Sequence, residues 1–159
     1  MKLVVQVRLF PDTAGQAALR DTLELCNHVA DQVSEQAFTR GVFGKQALQR
    51  LTYGGCKTAG LSAQPAIHVA RKVAGAYATL RANLRAGNLG REGSKRRQRA
   101  ESRPIRFRRD AAQPFDDRCL AWQHEACTVS IWTVAGRLKG VRFGCSAAQH
   151  ALLVAYRQG

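Results

Sequence analysis

REGSKRRQRAESRPIRFRR, residues 91–109, divides this chain into two halves of different character. Nine of its nineteen residues are Arg or Lys and only Glu92 and Glu101 oppose them, so it holds a net charge of +7, half of the +14 carried by all 159 residues. Charge at this density cannot be buried, because each unpaired ion would lose its hydration at a large cost. The run therefore stays in water or meets a polyanion. Apolar residues before it recur every three or four positions, as in helices, while those after it fall in short β-rich runs separated by turns.

Upstream of the basic run, Leu3, Val5, Val7 and Leu9 alternate with polar residues and predict a half-buried strand over residues 2–10, stopped by Pro11. Thr13 and Gln16 have the spacing of a capping box, and Leu19, Leu23, Cys26, Val33 and Ala37 continue as the apolar stripe of one long helix to about Phe38. Gly41 and Gly44 end it. A shorter helix is predicted over residues 45–53, closed by Gly54 and Gly55. Ser62 can cap a third, with Pro65 tolerated in its first turn and Ile67, Ala70, Val73, Tyr77, Leu80 and Leu84 on one face down to about Ala86. His68, Arg71, Lys72, Arg81 and Arg85 lie off that face, so this helix is basic and runs directly into the central segment.

Gly87, Gly90 and Gly93 predict that residues 87–102 are a mobile basic loop. Residues 104–108 alternate apolar and basic, as a strand does with one face on a core and the other toward an anionic partner. A turn is expected around residues 113–117, then strands over 119–122 and 127–133. Gly136-Arg137 separates TVSIWTV from LKGVRF as in a hairpin, and a last helix starts at Ser146. An isolated first strand is not stable alone. Residues 2–10 therefore pair with the later strands, and the helices become an insertion in an α+β fold.

The composition, 45% hydrophobic and 23% charged, is that of a globular protein, and the sequence pI near 10.6 favours phosphate backbones as partners. No apolar run approaches the roughly 20 residues of a membrane span. Gln6 and Arg8 interrupt the core a signal peptide would need, which places the protein in the cytoplasm. Five cysteines, odd in number and without a CxxC pair, read as reduced structural thiols; Cys119, His124 and Cys127 form the one local group of metal-ligand types, without a fourth ligand nearby. No metal or cofactor is expected. Asp116-Asp117 reads as a turn, since adjacent residues of an extended chain point apart, and neither a two-metal carboxylate set, a P-loop nor a GxSxG elbow is present. The residues indicate binding, with Trp122, Trp132, Tyr77, Phe107 and Phe115 as aromatic candidates for base stacking and Tyr77 assigned to the core by its place on the stripe.

Four runs, taken together and in order, resemble one family. RLFPDTAGQAALRDTLELCNHVAD (residues 8–31) is similar to the opening of TnpB, or OrfB-type, transposon proteins; LSAQPAIHVARKVAGAYATLRANL (61–84) resembles their second signature helix, IRFRRDAAQPFDDRCLAW (105–122) the next block and TVSIWTVAGRLKGVRF (128–143) the following hairpin. The resemblance spans nearly the whole chain. It implies the N-terminal part of an RNA-guided DNA endonuclease related to type V CRISPR effectors. Residues 2–10 and 103–145 would form a small antiparallel wedge-type β-barrel, residues 12–86 an inserted helical recognition bundle, residues 87–102 a basic loop, and residues 146–159 a helix leading to a nuclease domain. The family's catalytic carboxylates and zinc-ligand cysteines correspond to nothing up to Gly159. The resemblance thus carries no catalytic residue onto this chain and implies a truncated product, a fragment, or one half of an active nuclease completed by another chain; a nonfunctional remnant is the remaining alternative.

The expected partners are a structured guide RNA and, beside it, double-stranded or target DNA. The expected contacts are Arg71, Lys72, Arg81 and Arg85 on the basic helix, Arg91, Lys95, Arg96, Arg97 and Arg99 in the loop, and Arg103, Arg106 and Arg108 in the strand.

Overall fold

The computed structural model describes residues 3–156, so Lys2 at the head of the expected first strand and residues 157–159 at the end of the expected last helix lie outside it. In chain order the elements are β1 (Arg8–Phe10), α1 (Thr13–Arg40), α2 (Lys45–Thr58), α3 (Ala63–Arg85), α4 (Lys95–Glu101), β2 (Leu120–Gln123), β3 (Thr128–Thr133), β4 (Gly136–Gly144) and α5 (Ala147–Ala155). They gather into two units. One takes the described residues up to Thr22 with those from Phe115 onward, the other Leu23–Pro114, so α1 supplies residues to both.

In the sheet unit, β1 is much shorter than the alternating pattern predicts. It pairs antiparallel with β4, Arg8 opposite Gly144 and Phe10 opposite Arg142. Residues 3–7 form no ladder because β4 ends at Gly144 and the chain then enters α5, whose capping box at Ser146 and Gln149 matches the expected start. No strand is left opposite them. The full order is β1-β4-β3-β2, antiparallel throughout, so the first strand does join the last ones and the helices interrupt the sheet in sequence.

Among the described residues the sheet is open. Barrel closure does not occur, since it requires tilted, staggered strands around a full circle, and the two edge strands here are three and four residues long. Val129, Ile131, Val141 and Phe143 bury one face. Trp122 packs edge-on to Phe143 at 5.1 Å, and Leu9, Leu19 and Leu153 cover the cluster. The β3–β4 hairpin turns at Val134-Ala135, with Gly136 already paired to Thr133, slightly earlier than the Gly136-Arg137 position expected. Within β4 the register shifts between Val141 and Leu138, and Gly140 (φ +65°) accommodates the extra residue as a bulge glycine.

In the helical unit, the stripe on α1 buries Cys26, Val33 and Ala37 as the spacing predicts, and that on α3 buries Ala70, Val73 and Tyr77, with Val69 in place of the expected Ile67, which is only half-buried, as are Leu80 and Leu84. At the start of α1 the cap is Asp12, whose carboxylate accepts from the Gly15 amide at 2.7 Å, and Gln16 reaches the Pro11 carbonyl instead of completing a box with Thr13. His68, expected off the stripe, is buried. α2 passes straight through Gly54 and Gly55. Leu48, Thr52 and Cys56 recur every four residues on its buried face, so stopping at Tyr53 would leave Cys56 without its packing. The stop comes at Gly60 (φ +105°), beside which the Leu61 amide returns to the Cys56 carbonyl at 3.2 Å. Helix packing outweighs the propensity cost of the two glycines, which is about 1 kcal/mol each.

Neither Gly54 nor Gly55 has a positive φ, and a Cβ at either would meet nothing within 4 Å. Gly54→Ala and Gly55→Ala should each add about 0.8–1 kcal/mol of stability, seen as additive upward shifts of the thermal midpoint by circular dichroism. Gly60→Ala should shift it downward.

Candidate nucleic-acid interface

Residues 104–108, expected as a strand from their alternation, form neither helix nor ladder and pair with no strand among the described residues. Side chains replace the missing neighbour. The Ile105 amide donates to the Tyr77 hydroxyl at 3.3 Å and the Phe107 amide to Asp31 Oδ1 at 2.8 Å. The Asn27 side-chain amide then donates to the carbonyls of Arg109 and Ala111, each at 2.9 Å. The last two contacts fall on a turn at Arg109 and Asp110, which the Ala111 amide closes by donating to the Arg108 carbonyl at 3.0 Å. Asn27 and Asp31 are four apart on α1 and so share one helix face.

The network continues inward. Tyr77 is 3% exposed, as its place on the stripe predicts; its hydroxyl donates to the Ser34 carbonyl at 3.1 Å and lies 3.0 Å from Ser34 Oγ. Lys72 Nζ donates to Asn27 Oδ1 at 2.6 Å and sits 5.2 Å from the centre of the Phe107 ring. Burial lowers the pKa of Lys72 from its ordinary value, against the opposing pull of Cys26 and Asp31. Lys72, expected to hold phosphate, is half-buried and engaged with Asn27 and the Phe107 ring.

The expected loop at residues 87–102 contains α4. Ser94 Oγ accepts from the Arg97 amide at 3.4 Å and Arg97 pairs with Glu101 at 3.1 Å, one turn apart. The cap, the pair and a run of good helix formers explain a helix where the glycines suggested none. No residue of α4 is buried. Arg71, Arg85, Arg91, Lys95, Arg96, Arg99, Arg103 and Arg108 are exposed and make no ion pair among the described residues. Arg81 is also exposed and lies 4.3 Å from the centre of the Phe43 ring. Arg106 pairs with Glu35 at 3.2 Å and Arg109 with Glu24 at 3.0 Å; both bonds are solvent-exposed and weak enough for a phosphate to displace.

Two cations absent from the expected set join this surface. Lys45 and Arg50 line a groove of about 710 Å³ with Arg71 at the start of α2. The available signal was a lysine in a helix's first turn, where the helix dipole favours acids. The other aromatic candidates are engaged: Phe107 beneath Lys72, Trp122 against Phe143 and His124, and Trp132 edge-on to Phe115 at 6.5 Å.

All five cysteines are free thiols, and burial raises the pKa of Cys56 and Cys119. Cys119, His124 and Cys127 do not bring three ligand atoms within 4.8 Å of one another. Asp116 forms the expected turn, accepting from the Arg118 amide at 3.1 Å. No helix among the described residues is long and apolar enough to cross a membrane. No family model, curated protein or solved structure matches the chain.

Replacing Asn27 removes two donors to segment carbonyls and the acceptor for Lys72 together. Asn27→Ala should cost about 2–4 kcal/mol and free the segment, so that limited trypsin digestion cuts after Arg106, Arg108 or Arg109 at least tenfold faster. Arg106→Gln, which removes only the exposed pair with Glu35, should leave the rate at the remaining sites nearly unchanged.

Proposed function

We propose that this chain is a nucleic-acid-binding module that holds structured RNA, and target DNA beside it, on the basic surface built from α4, the last turns of α3 and the segment after α4. The single observation that carries this reading is the set of exposed cations on α4 and its flanks that make no ion pair among the described residues, Lys95, Arg96 and Arg99 foremost. A surface of this kind binds by displacing counterions from phosphates. In the TnpB-like reading the open sheet unit corresponds to the wedge part and the helical unit to the recognition part.

A second reading makes the chain the binding half of a nuclease completed by another polypeptide. It draws on the apolar surface where Leu3 and Val5 meet Leu152, Leu153 and Tyr156 around a groove of about 410 Å³.

Reversal of Lys95, Arg96, Arg97 and Arg99 to Glu tests the first reading. The slope of log affinity against log salt should fall by about 3 to 4, and affinity at low salt by more than a hundredfold, because each lost phosphate contact removes about 0.7–0.9 from the slope. An unchanged slope would refute the assignment. Sequencing of RNA that copurifies with the chain and with this variant should show one enriched transcript lost on reversal; bulk RNA without enrichment would reduce the reading to unselective electrostatics.

A further inference from the structure

The β2–β3 hairpin closes on a four-residue loop, His124 to Cys127, between the paired residues Gln123 and Thr128. The Cys127 amide donates to the His124 carbonyl at 3.2 Å, and Cys127 has φ +49°, the one positive value on a residue other than glycine among the described residues. Hairpin loops usually give this left-handed position to glycine or asparagine. A cysteine there is strained, and because its side chain is exposed, packing does not offset the strain.

A second ligand type arrives from α5. His150 brings its Nε2 to 3.7 Å from Cys127 Sγ and 3.1 Å from the His124 carbonyl oxygen, and that oxygen is 3.6 Å from Sγ. The Phe143 ring stacks on the imidazole with centroids 6.5 Å apart and supports its position. Sulfur, nitrogen and oxygen thus form a triangle with sides of 3.1, 3.6 and 3.7 Å. A tetrahedral zinc ion, with bonds of about 2.3 Å to sulfur and about 2.0–2.2 Å to nitrogen and oxygen, separates such ligands by about 3.4–3.6 Å, so each side fits to about 0.3 Å. Hydrogen bonding alone accounts less well for the cluster. The loop amide, the thiol and the imidazole all crowd one carbonyl oxygen, which has two lone pairs.

We propose that Cys127 Sγ, His150 Nε2 and the His124 carbonyl form a zinc site that fastens α5 to the β2–β3 loop, with water as the fourth ligand. Binding sends the thiol proton to solvent and keeps the imidazole neutral with its proton on Nδ1, so that a thiolate sulfur and a bare Nε2 face the ion. The carbonyl then serves the Cys127 amide with one lone pair and the ion with the other. One thiolate and one imidazole suit zinc, whereas magnesium and calcium want oxygen ligands. The site goes beyond the nucleic-acid reading and uses none of its cations. It also gives α5 an anchor: this helix carries no charge and buries none of its own residues, and an ion at His150 ties it to the sheet.

The test titrates Zn²⁺ into the full chain, free of any histidine tag, by calorimetry, and follows the thermal midpoint by circular dichroism. One ion should bind per chain, with a heat that depends on the buffer's ionisation enthalpy because a proton is released. Co²⁺ in its place should show sulfur-to-cobalt charge-transfer absorption. Cys127→Gly keeps the loop, since glycine takes a positive φ without strain, and His150→Gln keeps a good helix former in α5. Each should weaken Zn²⁺ binding at least a hundredfold, and Zn²⁺ should raise the midpoint of the wild-type chain only. Cys145→Ala, which removes a thiol outside the triangle, should bind as wild type. Failure of the wild-type chain to bind Zn²⁺, or wild-type affinity in either ligand variant, would overturn the site, and neither result bears on the α4 surface.

Discussion

Three side chains stand in for a missing β-strand: Asn27 and Asp31 on α1 and Tyr77 on α3 hold the backbone of residues 105–111. A segment so rich in arginine cannot be retained by burial of its own side chains, because the charges must stay in water. Its backbone can be retained, because amides and carbonyls are neutral and lose little when each finds a partner. Alternation of burial lets one chain do both, with Ile105 and Phe107 partly buried and Arg106 and Arg108 exposed. The basic surface is thus held by its main chain while its charged groups remain available.

That arrangement accounts for Lys72. A lysine beneath a strongly basic segment would normally add repulsion, yet here it lies against the Phe107 ring and orients the Asn27 carboxamide so that its nitrogen faces Arg109 and Ala111. Asp31 nearby offsets part of the charge. Asn27, Asp31, Lys72, Tyr77 and Phe107 come from three separated stretches of the sequence. In this structure these residues build the support of the basic segment, and the proposed nucleic-acid contacts lie mostly on its exposed flanks.

The two units use different means to finish their edges. The sheet unit ends in very short strands, which limits unwanted edge pairing. The helical unit ends in α4, whose stability comes from a serine cap and one ion pair without any buried residue. Such a helix is marginal by itself, and a polyanion that neutralised its cations would remove the repulsion among Lys95, Arg96, Arg97 and Arg99. Binding and local order are therefore coupled in the proposed interface.

Periodicity and charge in the sequence determined the α+β class, the extent of α1 and α3, the positions of β2, β3 and α5, the pairing of the first strand with the last ones, and the segment of highest charge. These follow from local regularities, since a 3.6-residue or two-residue repeat of apolar side chains exists before any packing does. Tertiary structure alone decided that residues 3–7 have no strand partner, that α2 crosses two glycines to bury Cys56, that α4 forms, and that residues 105–111 dock on helices through side chains. It also decided the fate of individual cations. Lys72 and Arg71 are adjacent in sequence and equal in charge, yet one turns inward to Asn27 and the other outward to the groove with Lys45 and Arg50. Burial, partner distance and the neighbours of each charged group depend on residues far away in the chain, and no local pattern encodes them.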